Sequence, residues 1–213
     1  MMKEGQLSSA GKIRIIRAER LHEDMAARRF SNLIGFDDAP FSHDHIGPVR
    51  VVGTIFTGLH LTGVVIGEVE KDGADAAEKL ARLVTESRFA EHVQLVMLQG
   101  IALAGFNVVD VFDLHQRLEM PVLVVSRKLP DLAAIQRALT TQVREGEQKW
   151  ALIERLGSPE PAGYVYVQRV GLTLEDAQAI ITRFTLHGHI PEPLRVAHLI
   201  AGALVNGQSH GRA

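Results

Sequence analysis

The residues best suited to chemistry are carboxylates at the ends of two apolar runs. Asp37 and Asp38 close the segment NLIGFDD (32–38), and Glu68 and Glu70 close TGVVIGEVE (62–70). Carboxylates that converge repel one another unless a cation lies between them, and hard oxygen donors of this kind suit Mg²⁺ or Mn²⁺. Paired ions in such a cluster hydrolyse phosphodiesters, one activating water and the other stabilising the leaving oxygen. Side chains alternate along a strand, so Glu68 and Glu70 share a face with Val64 and Ile66, while Asp37 and Asp38 point to opposite faces. If the first and third strands are near neighbours, one aspartate can approach a glutamate. The competing reading puts Glu68 and Glu70 on an exposed strand end and has Asp38 cap the turn at Pro40.

Other polar groups carry weaker signals. His43 and His45 flank Asp44, and His187, His189 and His198 lie around IPEPLR near the C-terminus. Imidazole ligates metals, but histidines spaced this way in polar loops more often meet water, and none is assigned as a ligand. Ser126, Arg127 and Lys128 end an apolar run, where they either hold a phosphate or mark the point at which a strand reaches solvent. Lys12, Arg14, Arg17, Arg20, Arg28 and Arg29 form a basic N-terminal stretch interrupted by Glu19, Glu23 and Asp24. It is either a local nucleic-acid patch or a solvated surface. With a net charge of −2 the chain has no overall basic field, and 5% aromatics is sparse for a sequence-reading base-stacking surface. The absence of cysteine excludes disulfides, thiolate sites and cysteine nucleophiles, and fits a reducing compartment.

The elements that must position these groups follow from periodicity. NLIGFDD reads as a strand stopped by Ala39-Pro40, and 49–58 and 62–70 as a hairpin, so three antiparallel strands open the fold. Residues 75–86 have helical spacing, with Ala77, Leu80, Ala81 and Val84 on one face. The runs 93–100 and 121–128 are apolar on both faces, as buried parallel strands are, and the helical stretch 108–118 between them makes a crossover unit. Two helices after Pro130, a strand over 164–170 and a capped helix over 173–186 complete the pattern. This order predicts an α/β fold of RNase H-like type: a mixed sheet with flanking helices. No glycine-rich dinucleotide fingerprint follows the first strand and no phosphate loop appears.

At 213 residues and 46% apolar, one domain over 1–213 is expected, with 1–27 as an N-terminal extension and 202–213 as a flexible tail. The N-terminus lacks the apolar core of a signal peptide, and no apolar run approaches the roughly 18 residues of a membrane span, so a cytoplasmic, non-membrane protein is expected. A dimer is compatible with this size, although no heptad or other interface pattern supports one.

The segments RRFSNLIGFDDAPF (28–41), VMLQGIALAGFNVVD (96–110), PVLVVSRKLPD (121–131) and HGHIPEPLRVAHLIA (187–201) together resemble a largely archaeal family called domain of unknown function 99. That family is similar to endonuclease V, a Mg²⁺-dependent nuclease of RNase H-like fold. The resemblance implies that the first-strand aspartate is Asp37, the third-strand glutamate Glu68 or Glu70, and the strand-end lysine Arg127. The fourth-strand aspartate becomes Gln99, and the histidine preceding the last long helix falls on Val170. Its strand-separating wedge motif is not visible between residues 57 and 67. The expected activity is a Mg²⁺- or Mn²⁺-dependent nuclease acting on DNA or RNA. In it Asp37 and Glu68 or Glu70 bind metal, Asp38 and Gln99 assist, and Arg127 contacts phosphate. The alternatives are a nucleic-acid-binding module without chemistry, using Arg28, Arg29, Arg127 and Lys128, or a binder of protein or small ligands.

Overall fold

A computed structural model describes residues 29–209. Its centre is a seven-stranded mixed sheet whose strands lie side by side in the order 60–70, 48–57, 32–38, 95–99, 122–126, 165–170 and 160–162. The first three strands, β1 (Asn32–Asp38), β2 (Pro48–Thr57) and β3 (His60–Glu70), are antiparallel, as expected. β4 (Leu95–Gln99) lies parallel to β1, and β7 (Val122–Ser126) parallel to β4, so the crossover through a helix also holds. β9 (Val165–Val170) returns antiparallel on β7 and pairs with the short β8 (Glu160–Ala162). A two-stranded ribbon, β5 (Ala102–Leu103) with β6 (Asn107–Val108), stands apart from the sheet.

Helices cover both faces. On one side α1 (Ala76–Thr85) and α2 (Val111–Leu118) seal a core containing Ile34, Phe36, Val96, Leu98, Val122 and Val124. On the other, α5 (Leu174–Phe184) and α6 (Glu192–Asn206) cover Leu33, Leu95, Met97, Leu123 and Val125. Residue parity along β1, β4 and β7 sorts these sets, as the two-residue strand period requires. The remaining helices, α3 (Leu132–Gln142) and α4 (Gly146–Leu156), pack on Val108 through Leu139 and Ile153.

α6 runs closest to the sheet, and glycine makes that possible. A Cβ on Gly35 would stand 2.8 Å from the Pro193 carbonyl carbon, and Thr54 Oγ1 donates a buried 2.6 Å hydrogen bond to the Pro193 carbonyl. Pro193, Leu194, Ala197 and Ala201 form the inward face, small enough for the helix to lie directly over β1 and β2. The segment expected to be a flexible tail therefore begins as structure: residues 202–206 are the last turn of α6, closed by Gly207 at a φ of 73°. The short β5, β6 and β8 add elements too brief to show a period in the sequence.

Candidate functional site

The parallel strands β1, β4 and β7 all end on the same side of the sheet, and their last residues are Asp38, Gln99 and Ser126. Open α/β sheets bind ligands at such carboxyl ends. In register, Phe36 pairs with Leu98, so Asp37 and Gln99 are the next residues on neighbouring strands and share the α6-covered face.

Asp37 is buried, with 5% of its surface exposed, and both of its oxygens have donors. Oδ1 accepts the Asp38 backbone N–H at 3.0 Å, and Oδ2 lies 2.8 Å from His198 Nδ1. Burial raises the Asp37 pKa, opposed by the hydrogen bond and the charge of His198; that same bond raises the His198 pKa above 6.5. The contact favours the charged form of each partner, and the burial of Asp37 works against it. Asp38 faces the ribbon, where its Oδ2 accepts the Ala104 N–H at 2.8 Å. Ala104 is held in the left-handed region, with a φ of 49°. Burial, and then the Asp37 charge, push the Asp38 carboxyl up to about 6. Gln99 Oε1 is buried and has no hydrogen-bond partner. An unpaired buried acceptor is costly, so a donor or cation at that point is physically favoured.

His198 is the residue beside Asp37 that the sequence left unassigned. The histidine expected at Val170 is not there to be replaced. β9 runs antiparallel, so Val170 pairs with Val122 at the opposite end of the sheet from Asp37, packed against the α1–α2 core. The partner of Asp37 comes instead from α6, one residue after Ala197 on its inward edge. The motif IPEPLRVAH held the signal: His198 follows Pro193, Leu194 and Ala197 at helical spacing, which sets it toward the sheet rather than in a polar loop. The exposed His43, His187 and His189 meet solvent, and the half-buried His45 ring lies 3.0 Å from the Pro48 carbonyl.

The glutamates are not brought to the aspartates. β2 lies between β1 and β3, and Glu68 faces Arg50 across the β2–β3 pair in an exposed contact of 3.9 Å. Glu70, at the end of β3, is exposed; its backbone is tied to Asp75 and Asn107. Among the described residues, no group of three or more histidines, aspartates or glutamates is close enough to hold a metal ion. Arg127 and Lys128 follow β7 at the same end of the sheet as Asp37 and are exposed. Arg29 precedes β1 at the other end, its guanidinium 5.0 Å from the Phe30 ring centroid, and Arg28 lies outside the described residues.

Residues 29–205 match the family model described as endonuclease dU. A UPF0215 protein of Deinococcus radiodurans is 54% identical over 184 residues, covering 86% of this chain and 94% of that one. A crystal structure of a protein of unknown function from Archaeoglobus fulgidus superposes with a TM-score of 0.76 at 32% identity, covering 83% of this chain and 99% of the other. Endonuclease V of Ciona intestinalis, solved with a DNA containing inosine, gives a TM-score of 0.55 at 12% identity over 90% of this chain and 95% of that one. At that identity the likeness is one of fold, and it agrees with the RNase H-like sheet expected from the strand order. No helix among the described residues is long and apolar enough to cross a membrane.

Proposed function

Because the chain belongs to the endonuclease dU family, we propose that it is a metal-dependent endonuclease that cuts DNA at deoxyuridine. The observation that carries this reading is a buried carboxylate at the parallel-strand ends, Asp37, held by His198 beside the unpaired Gln99 Oε1. Asp37 and Gln99 Oε1, with Asp38 next to them, are hard oxygen donors and fit Mg²⁺ or Mn²⁺. Such an ion supplies positive charge for activating water and for stabilising the leaving oxygen. Asp37 would hold it while keeping the His198 proton on Nδ1. That leaves Nε2 as the nitrogen able to take or give a proton at the reacting phosphate. Arg127 and Lys128, on the same rim, would bind the phosphates on either side of the cut. Glu68 and Glu70, two strands away, would join the site only through movement of the edge strand or through the DNA itself.

The test is cleavage of end-labelled DNA carrying one deoxyuridine, beside thymidine, inosine and RNA controls, in Mg²⁺, Mn²⁺ or EDTA. Cutting at deoxyuridine that needs metal and falls at least a hundredfold in both Asp37→Asn and His198→Gln is the expected result. A second reading has one observation in its favour: the amide at Gln99 leaves the described residues without a three-acid cluster. On that reading the protein binds DNA without cutting it, with an affinity that falls with salt and ignores EDTA.

A further inference from the structure

The tight turn joining β8 to β9 lies on the same side of the sheet as Asp37. β9 is antiparallel to β7 and pairs its Tyr166 with Ser126, so β9 begins where β7 ends. Ala162 pairs with Val165, which leaves Gly163 and Tyr164 as a two-residue turn. Gly163 has a φ of 65°, the left-handed geometry that glycine supplies at the first position of such a turn. Tyr164 at the tip is 76% exposed, an unusual place for a large aromatic ring on a rigid hairpin. It is not isolated. The His189 ring, from the loop leading into α6, packs on it with centroids 4.6 Å apart and planes inclined by 40°. Next to this turn, β7 runs out into the exposed Arg127 and Lys128.

We infer that Tyr164, supported by His189, is a stacking platform for an unpaired base of the DNA strand that the active end binds. The inference rests on the function proposed above and adds a contact to it. An exposed ring beside cations on a strand-binding surface is the arrangement that holds single-stranded nucleic acid, with the base on the ring and its phosphates on the basic side chains. β9 lies three strands from β1 in the sheet order, a separation of roughly 14 Å at about 4.8 Å per strand. A bound strand spans that separation in a few nucleotides, at about 3.4 Å for each stacked nucleotide and more where the strand is extended. One platform of this kind tolerates every base, which agrees with a chain too poor in aromatics to read a sequence by stacking.

The experiment uses the full chain, in EDTA, with single-stranded 20-mers carrying one deoxyuridine and one 2-aminopurine placed one to six nucleotides to either side. Wild type should alter the 2-aminopurine fluorescence at one or two adjacent positions, and Tyr164→Phe should retain that change. Tyr164→Ala should abolish it and weaken binding about 5- to 100-fold, with unchanged thermal unfolding because the side chain is exposed. His189→Ala should give a smaller loss in the same direction. If Tyr164→Ala binds and reports like wild type while Asp37→Asn still abolishes cutting, the platform is refuted and the nuclease stands. If wild type binds none of the 20-mers, the platform is refuted as well, and the nuclease reading is decided separately by metal-dependent cutting at deoxyuridine.

Discussion

Asp38 carries a cost that its neighbours create. An unfolded aspartate titrates near 3.8, whereas in the fold its carboxyl is pushed up to about 6 by burial and by the Asp37 charge. Below the lower value both states hold the proton and the residue is neutral to stability. Between the two values the unfolded chain releases its proton first, so stability falls as pH rises, and above about 6 the whole cost is present. The rise from 3.8 to about 6 corresponds to about 3 kcal/mol. Asp38→Asn keeps a carbonyl oxygen for the Ala104 N–H and removes the charge. Measured by urea unfolding in EDTA, this variant should be about 1–3 kcal/mol more stable than wild type at pH 8 and no more stable at pH 3.5. Equal stability at pH 8 would mean that the two aspartates do not share one desolvated strand end. The same cost makes the site receptive to a cation, because a bound ion offsets the repulsion that the fold otherwise tolerates.

At the scale of elements, the candidate site depends on how closely α6 lies on β1. Gly35→Ala places a methyl group 2.8 Å from the Pro193 backbone, which cannot swing aside as a flexible side chain would. The helix must lift, at a cost of about 1–3 kcal/mol, and His198 moves with it. Because the hydrogen bond to Asp37 is what raises the His198 pKa, proton NMR of the imidazole should show that pKa falling back toward 6.5 in the variant. An unchanged titration with lowered stability would show that the strain is absorbed away from the site. This dependence also explains what the sequence could reveal. The segment 32–38 stopped by Ala39-Pro40, the β-branched runs 49–58 and 62–70 and the apolar runs 93–100 and 121–128 announce themselves by composition, and the sheet follows from their order. Asp37 and Asp38 stand out because they interrupt an apolar run at its end. His198 does not, since the inward face of α6 carries only Leu194 as a large apolar residue beside Pro193, Ala197 and Ala201, and its partner lies 161 residues earlier in the chain. The position of the glutamates was equally hidden. A residue pattern gives the face that Glu68 takes, but only the pairing order shows β2 standing between it and Asp37.

Over the whole molecule, a net charge of −2 means that no general field draws DNA to the surface, so phosphate binding must come from a few local cations. The candidate site's end of the sheet offers Lys128 in the exposed segment after β7, alongside Arg127. A lysine that meets one phosphate releases about one counterion, contributing close to one unit to the slope of log affinity against log salt. Lys128→Ala should therefore lower the magnitude of that slope by about 1. It should also weaken binding by a similar factor for strands with deoxyuridine or thymidine, since a phosphate contact carries no base information. Asp37→Asn should leave the slope nearly unchanged while abolishing cutting, because it acts on the reacting phosphate and not on the approach. Affinities titrated from 50 to 200 mM salt check both statements. A Lys128→Ala slope equal to wild type would move the phosphate contacts away from the end of β7, and with them the path assigned to the bound strand.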